Sequence, residues 1–320
     1  MFAKQTTLAG PVTLTGIGVH SAAPVSLILE PAEADSGIVF VRTAPDGVEH
    51  EMPASHRLVG GTELQTVLGD SAGATVSTIE HLMAALRGMG VDNARVAIDG
   101  PEVAILDGSA RPFVEAIDSV GVATLAAPRR VMKIVKPVRV EQGRGFAELA
   151  PAPHGFHLDV EIDFPSDLIG RQAVRLEVTP QSFRAELAGA RTFGFLKDVE
   201  RLWAAGFARG SSTENTIVLG EDRVLNPEGL RFPDEFVRHK AMDAVGDLAL
   251  SGLPLQGRFR SFCGGHRMNG AVLGALLADP TAYEIVTAEP APARRERAAR
   301  AVRPAGFAPA PVAAFGPRVD

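Results

Sequence analysis

The chain has 320 residues, 46% hydrophobic and 22% charged, with a formal net charge of −6. This is the composition of a folded globular protein long enough for two domains, and its acidic balance argues against a partner such as nucleic acid. No apolar run approaches the ~18 residues of a membrane helix, the first ten residues lack a signal peptide's apolar core, and the single cysteine, Cys263, excludes an internal disulfide, so a reducing, cytoplasmic setting is expected.

Alternation of apolar and polar residues predicts strands at 11–15, 25–29, 38–42 and 64–68. The first helix is expected from about Ser77, because Ile79, Leu82, Met83 and Leu86 recur at helical spacing and Gly88 and Gly90 follow. A strand at 94–98 and a helix at about 112–120 complete the first half. Residues 126–130, Ala-Ala-Pro-Arg-Arg, read as a linker. Beyond it strands are expected at 131–140, 147–149, 157–164 and 173–178, a long helix at 233–250, a strand at 257–262 and a helix at 267–278. The order repeats, which predicts an α+β protein of two related domains, 1–126 and 127–285. The second carries an insert at about 180–219 with two short helical patterns. From 286 to 320 the chain is rich in Pro, Ala and Arg and is expected to be a disordered tail.

Three histidines stand out among the eight. His239 and Asp243 lie at i, i+4 on the long helix, so an imidazole and a carboxylate project from one face, and Asp247 extends the stripe by a turn. Two carboxylates at that spacing repel unless a cation or a hydrogen-bond donor sits between them; the same stripe also reads as a plain polar face. Pro233 suits a first helical position, with Asp234 and Glu235 favourable to the helix dipole. His81 lies off the apolar stripe of its helix, on a side lined by Ala84, Ala85 and Gly88 that a neighbour can approach closely. Glu80 beside it suits a general base at a metal, but Ser77-Thr-Ile-Glu80 equally fits a capping box. His266 follows Gly264-Gly265 between a strand and a helix, where a tight turn brings an imidazole near a ligand. Two His and one Asp with an open position make a catalytic zinc site or the facial triad of a non-haem iron oxygenase. His157-Leu-Asp159 on a predicted strand offers a competing pair for the oxygenase reading. Gly69-Asp-Ser-Ala-Gly73 matches G-x-S-x-G, but residues 74–76 separate it from the helix that a nucleophile elbow needs. A third reading is non-enzymatic: a scaffold with a structural metal, or an RNA binder using the Arg-rich tail.

Gly16-Ile-Gly-Val-His20, Ser77-Thr-Ile-Glu-His81, Asp107-Gly-Ser-Ala110, Ala190-Arg-Thr-Phe-Gly-Phe195, residues 224–232, Phe236-Val-Arg-His-Lys240 through Asp243 and Asp247, and Gly265-His266 occur in that order along the chain. Taken together they resemble the UDP-3-O-acyl-N-acetylglucosamine deacetylases of Gram-negative lipid A synthesis. The resemblance implies a sandwich with the helices of both domains between two outer sheets, and a zinc amidase acting on a UDP-linked acylated amino sugar. It implies His81, His239 and Asp243 as metal ligands for Zn2+, with Fe2+ an alternative occupant. Glu80 matches the general base toward the attacking water, and His266 the residue that protonates the leaving amine, oriented by Asp247. Thr192 matches a hydroxyl donor to the scissile carbonyl and Lys240 a substrate-binding cation. His20 falls on the substrate side, and Phe164 near the uracil. The insert would form an apolar passage for the acyl chain, with Phe193, Val199, Trp203, Ile217 and Val218 as candidates. A monomer is expected. Ala22 stands where that family usually has Gly.

Overall fold

The computed structural model describes residues 3–43, 47–69 and 73–288. Ser71, on which the G-x-S-x-G reading turns, and the tail from 289 onward lie outside the described residues. Five strands form a first sheet in the order Val12–Ile17, Pro24–Pro31, Ala94–Ile98, Ile38–Thr43, Glu49–Pro53. Alternation decides which face is buried: along Pro24–Pro31, Val25, Leu27 and Leu29 all point into the core. A second sheet is built around Leu255–Phe262. It runs antiparallel to Gly145–Ala150 and parallel to Phe156–Asp163, while its first two residues pair in parallel with Arg130–Ile134. Val138–Gln142, Arg171–Glu177 and Tyr283–Thr287 complete it. Each sheet contains parallel strands that flank a helix, as parallel neighbours require a crossover. Ile38–Thr43 and Ala94–Ile98 flank α1 (Glu80–Gly88), and Phe156–Asp163 and Leu255–Phe262 flank α5 (Glu235–Leu248).

The remaining helices are α2 (Arg111–Val120), α3 (Pro180–Ser182), α4 (Val199–Ala204) and α6 (His266–Ala278). α1 lies against α2 and α5, and α5 against α6. α2 packs on the edge strand Val12–Ile17 of the first sheet, and α5 and α6 pack on the second. The result is the expected α+β arrangement, with outer sheets and helices between them. The α1–α5 seam is close because it is lined by small residues. A Cβ placed on Gly246 would stand 2.0 Å from the Glu80 carbonyl oxygen and 3.1 Å from the Ala84 nitrogen. The bare side of α1 is therefore where α5 arrives. No helix among the described residues is long and apolar enough to cross a membrane.

Several local expectations change. The stretch taken as a linker is largely strand: Val122–Pro128 pairs with Lys4–Leu8, and the next residue, Arg129, is buried in an ion pair with Asp92 at 2.8 Å. The run at 131–140 is two strands, because Pro137 lacks a ladder N–H and the Val135 and Lys136 amides turn to the Ala282 carbonyl. Of 64–68 only Val67–Leu68 is strand; Leu64, at φ 60, turns the chain and leaves Thr66 in a loop. No capping box closes α1, whose N-cap is Ile79 without a side-chain bond. Pro233 falls before the α5 N-cap, Asp234, rather than at the first helical position. Val286 and Thr287, placed in the tail by composition, belong to the last strand. Ala22 does adopt φ 58, the left-handed region in which Gly is the unstrained residue.

Candidate active site

α1 and α5 cross so that His81, on the first turn of one, meets His239 and Asp243 on the other. His81 Nε2 lies 3.5 Å and His239 Nε2 3.4 Å from Asp243 Oδ1, and all three residues are buried. Their ligand atoms form one of two groups among the described residues able to hold a metal ion. Asp243 Oδ1 and His81 Nδ1 are buried without hydrogen-bond partners, and an orphaned carboxylate oxygen is costly unless a cation serves it. Ligand bonds of about 2.0–2.1 Å in a tetrahedral zinc site put neighbouring donors roughly 3.3 Å apart, so these separations fit such an ion. The donor set suits Zn2+ or Fe2+ alike. His239 Nδ1 donates to the Ala190 carbonyl at 3.1 Å, which leaves Nε2 with the lone pair. Burial holds the His239 pKa down at about 3, against the pull of Asp243, so the imidazole is neutral. Burial would raise the Asp243 carboxyl, but His239, Lys240 and His81 outweigh it and keep it well below the usual range. The Lys240 ammonium donates to Asp243 Oδ2 at 3.0 Å.

Glu80 and His266 flank this cluster. Glu80 is buried, and burial raises its pKa despite the neighbouring His266 and His81. Its Oε2 accepts from the Thr66 amide at 3.0 Å, and Oε1 faces His266 Nε2 at 3.9 Å. His266 opens α6, and its Nδ1 donates to Asp247 Oδ2 at 2.9 Å. Burial opposes a charge on His266, but Asp247 and Glu80 prevail and its pKa stands at about 9. Asp247 also accepts from Asn269 at 2.9 Å and from the Thr66 hydroxyl at 2.6 Å. The carboxylate pair at 243 and 247 is thus relieved by separate donors.

These groups sit in the wall of a cavity of about 430 Å³. Glu80, His81, Thr192, Phe193, His239, Lys240, Asp243, His266 and His20 all line it. Thr192 is held by its amide on the Gly108 carbonyl and its carbonyl under the Ile217 amide. Buried Arg191 beside it is paired with fully buried Glu235 at the start of α5. His20 Nδ1 accepts from the Ala208 amide, and burial lowers its pKa. The backbone amides of His20 and Ser21 donate to Glu102, which also takes the Thr78 hydroxyl. Phe164 meets Phe193 edge-on at 5.8 Å without reaching the cavity wall. Val199, Trp203, Ile217 and Val218 also lie outside that wall. Ile217 is fully buried beside Phe193 in the register of a two-stranded parallel pair, and Trp203 is half exposed, its Nε1 donating to the Ala208 carbonyl. Leu202 of α4 lines the cavity instead.

Sequence reading missed Leu202, Asn269 and Thr66. Leu202 is the helical neighbour of Val199 and Trp203, whereas Thr66 reads as a strand residue and carries no other signal. The His157-Leu-Asp159 pair does not converge on one ion: Asp159 is engaged by Arg175 at 2.8 Å, and His157 Nε2 donates to the His154 carbonyl. His157 falls instead in the second possible group, with His154 and Glu177 on the protein exterior.

Two imidazoles and a carboxylate at ion-binding distance, with a buried acid on one side and a charged imidazole on the other, are the constellation that metal-assisted hydrolysis requires. Comparison with known proteins narrows this. A family model described as UDP-3-O-acyl N-acetylglycosamine deacetylase matches residues 5–278. Curated relatives from Brucella ovis, Brucella canis and Brucella melitensis, each named UDP-3-O-acyl-N-acetylglucosamine deacetylase, are 52% identical over 291 residues, covering 90% of this chain and 100% of theirs. The chain belongs to the UDP-3-O-acyl N-acetylglycosamine deacetylase family.

Proposed function

We propose that this chain hydrolyses the N-acetyl group of UDP-3-O-(3-hydroxyacyl)-N-acetylglucosamine, releasing acetate and the free amine, in lipid A biosynthesis. The observation that carries the reading is the meeting of His81, His239 and Asp243 in one cavity wall with Glu80 and His266 on either side. We assign the three ligands to Zn2+, with Fe2+ able to take the same place. When bound, the ion polarises the acetyl carbonyl and lowers the pKa of a neighbouring water. Glu80, through Oε1, takes a proton from the attacking water. Thr192 donates its hydroxyl to the carbonyl oxygen as negative charge develops there, and the charged His266 stabilises the same oxygen from its Nε2 side. His266 then gives the Nε2 proton to the departing amine as the C–N bond breaks, held in orientation by Asp247.

Lys240 and His20 bind the polar part of the substrate, and Phe164 supports the base. Phe193 forms the apolar wall for the acyl chain. Val199, Trp203, Ile217 and Val218 back or flank that wall. Each methylene it buries contributes about 0.8 kcal/mol. We read the chain as two related domains, 1–126 and 127–285, acting as a cytoplasmic monomer.

An acetate-release assay on the UDP-sugar tests the assignment. Glu80→Ala and His266→Ala are each expected to lose roughly 10²- to 10⁴-fold in kcat. Full rate in both variants would remove them as base and acid, and no release by the unaltered chain would remove the function.

A further inference from the structure

We propose that Thr66 is a positioning residue that sets both partners of the proton transfer, its amide fixing Glu80 and its hydroxyl fixing Asp247 and, through it, His266. The proposal rests on the reading of Glu80 and His266 given above. Thr66 is only 2% exposed and does not line the cavity, so it acts through its neighbours and not on the substrate.

The geometry on the two sides is complementary. On the base side, the Thr66 N–H donates to Glu80 Oε2 at 3.0 Å. One carboxylate oxygen is thereby clamped, and the other, Oε1, is turned toward His266 Nε2 and the reacting face. On the acid side, an ionised carboxylate accepts only, so the 2.6 Å contact is the Thr66 hydroxyl donating to Asp247 Oδ1. Asp247 Oδ2 is left to His266 Nδ1 and Asn269 Nδ2, both at 2.9 Å. Rotation of the Asp247 carboxylate would carry Oδ2 away from His266 and release the ring. With both oxygens engaged from different parts of the chain, that rotation is blocked, and His266 keeps Nε2 aimed at the cluster. The hydroxyl oxygen itself lies 3.5 Å from His266 Nδ1, at the limit of contact, so its hold on the ring runs through Asp247. Leu64, at φ 60, ends the strand pattern just before Thr66 and leaves it in this loop. Outer partners of this kind typically alter activity without touching substrate.

Thr66→Val keeps the shape and the amide and deletes only the hydroxyl; Thr66→Ser keeps the donor. For the valine variant, kcat is expected to fall about 10- to 100-fold with KM and metal content unchanged. In histidine-labelled protein the His266 Nδ1–H proton resonance is expected to move. The serine variant should stay near the unaltered rate and keep the resonance in place. Should the valine variant fail to fold, Thr66→Ala carries the same expectation. Unaltered kcat in the valine variant, an equal loss in the serine variant, an unmoved resonance, or a loss confined to KM or metal content would each overturn the proposal. Failure of the underlying reading looks different: Glu80→Ala and His266→Ala would keep full rate while the resonance still answered to Thr66.

Discussion

At the scale of single residues, the site places side by side a carboxyl group and an imidazole whose pKa values are both shifted upward by their surroundings. Burial lifts Glu80 above the usual carboxylate range, and Asp247 with Glu80 lifts His266 to about 9. As the proposed base, Glu80 must be ionised, so activity should fall as pH drops through its raised pKa. As the proposed acid, His266 must be protonated, so activity should also fall as pH rises through about 9. The log of kcat/KM against pH should therefore be bell-shaped, its limbs belonging to the coupled pair. A profile that stays flat through that upper limb would contradict the role given to His266. Among the site residues, His239, Asp243 and Asp247 carry a helical-spacing signal, since an i, i+4 relation survives any tertiary arrangement, though the same spacing fits a plain polar face and the ligand roles come from the family resemblance. Glu80 was ambiguous until its carboxylate was seen to accept from Thr66 rather than close its own helix. Thr66 was not legible, because a threonine between apolar residues looks the same whether it faces solvent or a catalytic acid.

At the scale of elements, the site depends on how near α1 comes to α5. The seam is set by Gly246 lying against the Glu80 carbonyl, where a methyl group would collide with backbone at 2.0 Å. Gly246→Ala should force the helices apart and destabilise the fold by about 1–3 kcal/mol. It should also lower kcat, since Glu80 and His81 move with α1 and His239 and Asp243 with α5. Thermal unfolding and acetate release measured on the same preparation check both parts; an unchanged melting temperature would mean that the seam has room the geometry denies. Element types were largely readable from period. The failures were local: a proline splitting 131–140, a left-handed Leu64, and a supposed linker that pairs with the N-terminal strand. Only the last turns on a strand partner far away in the chain; the other two are local backbone features that hydrophobic periodicity does not register.

At the scale of the whole molecule, two sheets enclose the helices that carry the ligands, and the core runs continuously from Leu27 and Phe40 through Leu82 and Met242 to Phe259. A core of this extent stabilises the fold by apolar burial, so the fold is not expected to depend on an ion. Chelation should therefore abolish acetate release while far-ultraviolet circular dichroism stays unchanged, and added zinc should restore activity. Unfolding on chelation would instead mark a structural metal. The order of residues was enough to establish class, helix positions, the paired His239 and Asp243 and the family resemblance, because composition, period and short motifs are properties of neighbouring positions. Which histidines come together, that Asp159 is spoken for by an arginine, and that a loop threonine contacts both Glu80 and Asp247 were decided only by folding. Those facts depend on contacts between segments remote in the chain, and only the packing of α1 against α5 and α6 brings them within bonding distance.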